Sequence, residues 1–125
     1  MPGRVKIFFD GGCRGDPPVM ETALVIAGEA IVLPDLGPGT STDAEWLALI
    51  HGATLARSRG LSDVVLIGDS ADVVAKANAI VPSRGAAARH HEQFRTVASS
   101  LTRLRVRHVK RSHNLAGIVL ARRRA

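Results

Sequence analysis

The sequence holds one cysteine, Cys13, so no disulfide can form within the chain and the fold must rest on its core. It also lacks any Cys/His spacing motif of the kind that builds a zinc site, which turns attention to oxygen donors. No apolar run approaches the roughly 18 residues that a membrane span requires, and no charged-plus-apolar leader precedes the first strand pattern. The expectation is a soluble protein of the reducing cytoplasm, with one domain over residues 1–125 large enough to bury a core unaided. Acidic residues are missing from one end, since none follows Glu92.

That absence belongs to a wider asymmetry. Residues 1–83 carry 6 Lys/Arg against 10 Asp/Glu, whereas residues 84–125 carry 11 Lys/Arg against Glu92 alone, within a net charge of +6. A basic half of this kind collects phosphates and releases their counterions, although a solvated surface ending in Arg122, Arg123 and Arg124 has the same composition.

Residues 4–10 (RVKIFFD) read as a strand, and residues 22–33 hold two more apolar stretches broken at Gly28 and Glu29, so the chain opens as an antiparallel meander. Turn chemistry and a Ser/Thr/Asp cluster suited to capping follow in PDLGPGTSTD, and a helix is expected from about residue 43 to residue 59. A buried-looking strand over 64–67 then runs into Gly68 and Asp69, and a short helix follows through Val73, Val74 and Ala77. Residues 86–101 place Phe94, Val97, Ala98 and Leu101 on one helical face. Residues 104–109 alternate as a strand, and a short helix with a basic end starts near Leu115. This order predicts an α/β fold: a mixed sheet covered by helices.

Two of these strands end in aspartates, Asp10 and Asp69, and Glu45 falls in the first turn of the first helix. Taken singly, Asp10 before two glycines reads as a turn former, Glu45 as a favourable charge at a helix start and Asp69 as a helix cap. Taken together they form a set that can converge. Carboxylates a few Å apart repel, so such a cluster persists when a cation or shared protons neutralise it. Oxygen ligands favour Mg²⁺ or Mn²⁺, and a divalent pair can position water and stabilise the leaving oxygen of a phosphodiester. With the basic half, the acids point to metal-dependent hydrolysis of nucleic acid.

The motifs resemble those of the type I ribonucleases H. FFDGGCRGDPP is similar to that family's strand ending in Asp-Gly with its following Gly-Asn-Pro loop, and STDAEWLALIHGATLA to its Ala-Glu helix start. VVLIGDSADVVAKAN resembles the strand with Asp-Ser, and VKRSHNLAGIVLARR the closing loop and helix of pattern Val-x-Arg-x-x-Asn-x-x-Ala-Asp-x-Leu-Ala. The resemblance implies a five-stranded mixed sheet of three antiparallel and then two parallel strands, in a monomer that acts on RNA/DNA hybrids and not at a membrane. It implies metal ligation by Asp10, Glu45 and Asp69, with two ions per site. It also implies hybrid contacts by Gly11, Cys13, Arg14, Gly15, Asp16, Ser41 and Thr42 in the minor groove, where 2′-hydroxyls are read, with Arg111 and Asn114 in the closing loop. His113 is the expected proton-shuttling residue of that loop, and His113 or Asn114 a candidate neutral ligand.

Three departures qualify the resemblance. Aligning Asn114 and the Leu120-Ala121 pair with the pattern puts Gly117 at the usual Ala and Ile118 at the family's fourth carboxylate, which casts doubt on the second ion and on full activity. A family member that binds hybrid or double-stranded RNA without cutting is the alternative. Asp16 stands where the family has Asn, and Ser41-Thr42 where it has an Asn pair. The tryptophan-rich basic insertion of longer relatives is absent, with Arg84 and Arg89 at the place of a shorter handle. Trp46 is expected to pack, Cys13 to position backbone, His51 and His108 to be structural or surface residues, and His90 and His91 to lie on a helix surface or basic patch.

Overall fold

The apolar run near the N-terminus becomes the central strand of a five-stranded sheet, where burial on both faces rewards its composition. The computed structural model describes residues 3–124. Strand β1 (Val5–Arg14) pairs antiparallel with β2 (Val19–Ile26), which pairs antiparallel with β3 (Glu29–Leu33). On its other side β1 pairs parallel with β4 (Asp63–Gly68), and β4 parallel with β5 (Arg103–His108), giving the order β3-β2-β1-β4-β5. This is the mixed sheet expected from the motifs. Four helices complete the chain: α1 (Ser41–Ser58), α2 (Ala71–Ala77), α3 (Ala86–Ala98) and α4 (Leu115–Arg124), the last preceded by a 3₁₀ turn, Arg111–His113. No helix of the described residues is long and apolar enough to cross a membrane.

Side chains alternate along β1, and each set meets a different layer. Ile7 and Phe9 join Leu24, Leu66, Trp46, Leu49 and Phe94 in the larger core beneath α1 and α3. Phe8 packs on the opposite face against Ala23, Val25, Ala116 and Leu120, beneath α4. Asp10 follows Phe8 in the alternation and so leaves β1 on the α4 side.

Several boundaries differ from the sequence reading, for local reasons. β1 continues through Gly11 and Gly12 to Arg14 because the facing residues of β2 supply a full ladder, so Asp10 lies within a strand and is not a turn former. α1 starts at Ser41, two residues early, because Thr40 caps it. The Thr40 hydroxyl accepts from the Asp43 N–H at 3.0 Å, and the Asp43 carboxylate accepts from the Thr40 N–H at 3.1 Å. Ser70, not Asp69, caps α2: its Oγ accepts from the Val73 N–H at 3.2 Å, which leaves the Asp69 carboxylate free of that duty.

Trp46 is wholly buried, as packing requires, and its ring lies 6.3 Å from that of His90 and 5.6 Å from that of His91. His91 is therefore buried, contrary to its expected place at the surface. Its Nδ1 lies 2.9 Å from the Ser83 hydroxyl, and burial, with the charge of Arg95, holds its pKa below the usual imidazole range. His51 also has a structural partner, the Thr22 hydroxyl at 2.9 Å. His108 is exposed. On β5 Leu104 and Val106 pack on the core, and Arg103 and Arg107 are exposed with Arg84, Arg89 and Arg95.

Candidate active site

Two parallel neighbours in register deliver two acids side by side. Phe8 of β1 pairs with Ile67 of β4, so Asp10 and Asp69, each two residues on, leave the sheet together. Glu45 joins them from the first turns of α1, which crosses β1 closely because Gly11 has no side chain. A Cβ at Gly11 would run into the Ala44 carbonyl group and stand 2.7 Å from the Glu45 nitrogen. In the space left, the Gly11 N–H donates to Glu45 Oε1 at 2.7 Å. Oxygens of Asp10, Glu45 and Asp69 all lie within 4.8 Å of one another, and among the described residues no other His, Cys, Asp or Glu group meets that test.

The cluster shows its electrostatic cost in Glu45, whose pKa is pushed up to about 8. Burial is the largest cause, the neighbouring Asp10 charge adds to it, and the Gly11 N–H only partly offsets them. In the unfolded chain Glu45 ionises near its ordinary 4.5, whereas the fold keeps it protonated to about 8. Between those values the native state holds the extra proton, so raising the pH favours unfolding, and above about 8 the dependence levels off. Thermal melts without divalent ion are expected to show stability falling from pH 5 to pH 8 and the slope flattening in Glu45→Gln, which keeps an oxygen for the Gly11 N–H. Equal slopes in the two proteins would count against this origin.

Asn114 sits behind the acids. It is completely buried; its Nδ2 donates to the Phe9 carbonyl at 3.0 Å and to Asp69 Oδ2 at 2.8 Å, and its Oδ1 accepts from the Ala116 N–H at 3.1 Å. One side chain thus ties β1, Asp69 and the start of α4 together. The sequence reading put Asn114 at the hybrid or on a metal; in the structure it is buried, and its amide bonds Asp69 and the backbone. Asn114→Ala is expected to cost about 1–3 kcal/mol of stability, because the buried Phe9 carbonyl loses its donor. Chemical denaturation checks this, and an unchanged midpoint would contradict it.

A cavity of about 320 Å³ opens over the acids, and Gly11, Gly12, Cys13, Ser41 and Arg111 share its lining. Cys13 holds the end of β1 to the neighbouring turn, with Sγ 3.3 Å from the Gly39 carbonyl. His113 is exposed on the 3₁₀ turn and does not line the cavity, so the structure does not bring it to the acids. Thr42 is exposed on the first turn of α1. Arg14, Gly15 and Asp16 are exposed and line a separate cavity of about 370 Å³, shared with Glu21, Asp35 and Arg123.

The side of the cavity formed by α4 carries no acid. α4 sets Ala116 and Leu120, four residues apart, against the sheet; Gly117 and Ala121 line the cavity, and Ile118, where the resemblance puts the family's fourth carboxylate, is 36% exposed. A Cβ on Gly117 would stand 3.5 Å from Oδ2 of both Asp10 and Asp69.

Residues 30–124 match the family described as Reverse transcriptase-like. Ribonuclease HI of Halobacterium salinarum is 34% identical over 73 residues, which are 54% of this chain and 37% of that protein, so the chain spans little more than a third of that curated relative. The crystal structure of ribonuclease H1 from the same archaeon superposes with a TM-score of 0.81 at 27% identity, covering 94% of each chain. The N-terminal ribonuclease H domain of a Mycobacterium tuberculosis protein, solved as a fusion with maltose-binding protein, gives 0.76 at 26% identity over 94% of this chain and 95% of that one. LC11-RNase H1 in complex with RNA/DNA hybrid shares the fold, with a TM-score of 0.77 at 21% identity over 89% and 88% of the two chains.

Proposed function

The chain belongs to the ribonuclease H family, and from that premise we propose that it is an endonuclease hydrolysing the RNA strand of RNA/DNA hybrids with a divalent cation. The observation that carries the reading is the convergence of Asp10, Glu45 and Asp69 oxygens within 4.8 Å at the ends of two parallel strands and a helix start. Those residues fit a hard cation: the donor set is oxygen only, and burial, with the neighbouring Asp10 charge, raises the Glu45 pKa, a penalty that a bound cation would relieve. Bound there, Mg²⁺ or Mn²⁺ supplies Lewis-acid polarisation of a phosphoryl oxygen and a more acidic water.

The chain's own residues supply position. Asp10 is the hub, beside Asp69 across β1 and β4 and beside Glu45, whose ionisation it opposes most strongly among the charges. Asn114 fixes Asp69, and the Gly11 N–H fixes Glu45. Gly11 and Gly12 leave a floor without side chains, so a nucleic-acid backbone can come close to Asp10. Ser41 shares that cavity, Thr42 is exposed beside it at the start of α1, and Arg14, Gly15 and Asp16 line the second cavity; a minor groove with its 2′-hydroxyls would have to reach across both. Exposed Arg84, Arg89, Arg95, Arg103 and Arg107 offer phosphate contacts, whose signature is affinity that falls steeply with salt.

The test uses a hybrid with labelled RNA, beside double-stranded RNA and all-DNA duplex, in Mg²⁺ and separately in Mn²⁺. Cleavage confined to the RNA of the hybrid supports the reading, and equal cutting of the DNA duplex overturns it. An acid restored on α4, by Ile118→Asp at the family's carboxylate position or by Gly117→Asp in the cavity lining, is expected to raise the rate. The bare wall at Gly117 also favours a second reading, a hybrid-binding protein that does not cut. Tight binding without cleavage, rescued by Gly117→Asp, would establish that second reading.

A further inference from the structure

Strand β2 carries a buried acid on the face of the sheet that holds the candidate site. Glu21 lies directly across from Gly12, and Asp10 directly across from Ala23, so the two acids are diagonal neighbours on adjacent strands. Paired residues of an antiparallel ladder share a face, and Ala23 packs beneath α4, so Glu21 leaves the sheet on the α4 side as Asp10 does. Diagonal neighbours lie about 7–8 Å apart, within reach of a long side chain. Gly12, which adjoins both acids, adds no side chain to block the way and lines the acid cavity. Glu21 is 2% exposed, although the next residues of β2 on that face, Ala23 and Val25, are apolar. Its charge is met by Arg123 of α4, whose guanidinium lies 3.5 Å away. A buried ion pair seldom repays the desolvation of its two charges, and Arg123 Nε is itself buried with no hydrogen-bond partner among the described residues. Stability is therefore a weak reason for an acid at this position.

We infer that Glu21 is an outer carboxylate of the acid site, holding a water of the divalent ion that Asp10, Glu45 and Asp69 bind, on the face where α4 offers no acid. The inference rests on the metal-dependent reading above and adds to it a residue that positions the ion's hydration. Glu21 stands outside the set of oxygens that lie within 4.8 Å of one another, so it acts at one water's remove and is a positioning residue. The chemistry suits that place. Mg²⁺ keeps several waters when protein carboxylates bind it, and a carboxylate is the acceptor that fixes such a water. Arg123 holds the Glu21 carboxylate at the boundary of two cavities: Glu21 lines the second with Asp16 and Asp35, and Gly12, across from it, lines the first.

The test titrates Mn²⁺ alone onto the full chain, by calorimetry and by the electron paramagnetic resonance of bound ion. Glu21→Gln keeps the shape and removes the charge, and is expected to bind Mn²⁺ about fivefold more weakly, the effect of a unit charge on a divalent ion about 8 Å away in a water-like dielectric. Glu21→Asp, which restores the charge on a shorter arm, is expected to recover part of that affinity. Asp10→Asn is expected to remove the same binding, which ties the ion to the acid cavity and not to the second one. A merely structural Glu21 would lower the melting temperature in Glu21→Gln and leave Mn²⁺ affinity as in wild type. Where Glu21→Gln does not fold, the double variant Glu21→Gln with Arg123→Gln removes both charges of the pair, and weaker Mn²⁺ binding is again expected. Unchanged Mn²⁺ affinity in the folded variant, Glu21-dependent binding that survives Asp10→Asn, or a wild type that takes up no Mn²⁺ would each overturn the inference. Hybrid cleavage is read separately, so a wild type that binds Mn²⁺ in the Glu21-dependent way but leaves hybrid uncut supports the inference while sinking the nuclease reading.

Discussion

Asp10→Asn is expected to lower hybrid cleavage by on the order of a thousandfold, which corresponds to about 4 kcal/mol of transition-state stabilisation. The loss follows from position. Asp10 leaves the central strand between Asp69 and Glu45, and the three together form the oxygen set. Asparagine keeps the shape but removes the charge, so a divalent ion loses its strongest ligand. The same substitution is expected to make the ion-free fold more stable. Asp10 is the largest charge contribution to the raised pKa of Glu45, and with that charge gone Glu45 ionises more easily and the cluster repels less. An inactive yet more heat-stable variant, measured by cleavage rate and by thermal melting, marks a site built for function at the expense of stability. A variant that lost activity and melted lower would point instead to a structural role for Asp10.

Gly11→Ala is expected to be severely destabilising. The added carbon would meet the Ala44 carbonyl group and the Glu45 nitrogen, both backbone of α1, so no side-chain rotation can relieve it. α1 would have to lift from β1, at a cost of about 3 kcal/mol in an overpacked contact. It would carry Glu45 with it and break the 2.7 Å bond from the Gly11 N–H. Denaturant unfolding should show the loss directly. Gly117→Ala is the matching control, since its Cβ meets only ordinary contacts at 3.5 Å or more and helix propensity favours alanine by about 1 kcal/mol. Equal stabilities of the two variants would contradict the packing described for α1 on β1.

The parts of this molecule that were legible in the sequence are those governed by runs and ends. The apolar stretches became the five strands in the order expected, and the acids carried at element ends, Asp10, Glu45 and Asp69, came together. What escaped was decided by partners distant in the chain. β1 continues past two glycines because β2 offers a ladder, although local chemistry reads as a turn. Asn114 looks like a loop residue until the Phe9 carbonyl, 105 positions away, is placed beside it. His91 sits on a polar helix by composition, yet Trp46 and Ser83 enclose it. Which α4 residues line the cavity, Gly117 and Ala121, depends on the packing of Ala116 and Leu120 against the sheet.

Ion-dependent cutting of RNA within a hybrid by Asp10, Glu45 and Asp69 is tested most directly by single-turnover cleavage of an RNA/DNA hybrid with end-labelled RNA, followed as Mn²⁺ is titrated from chelated to saturating. Internal cuts in the RNA strand are expected that appear only with the ion and vanish in Asp10→Asn. Saturated binding of the hybrid with the RNA intact at every Mn²⁺ concentration, and in Mg²⁺, would contradict it.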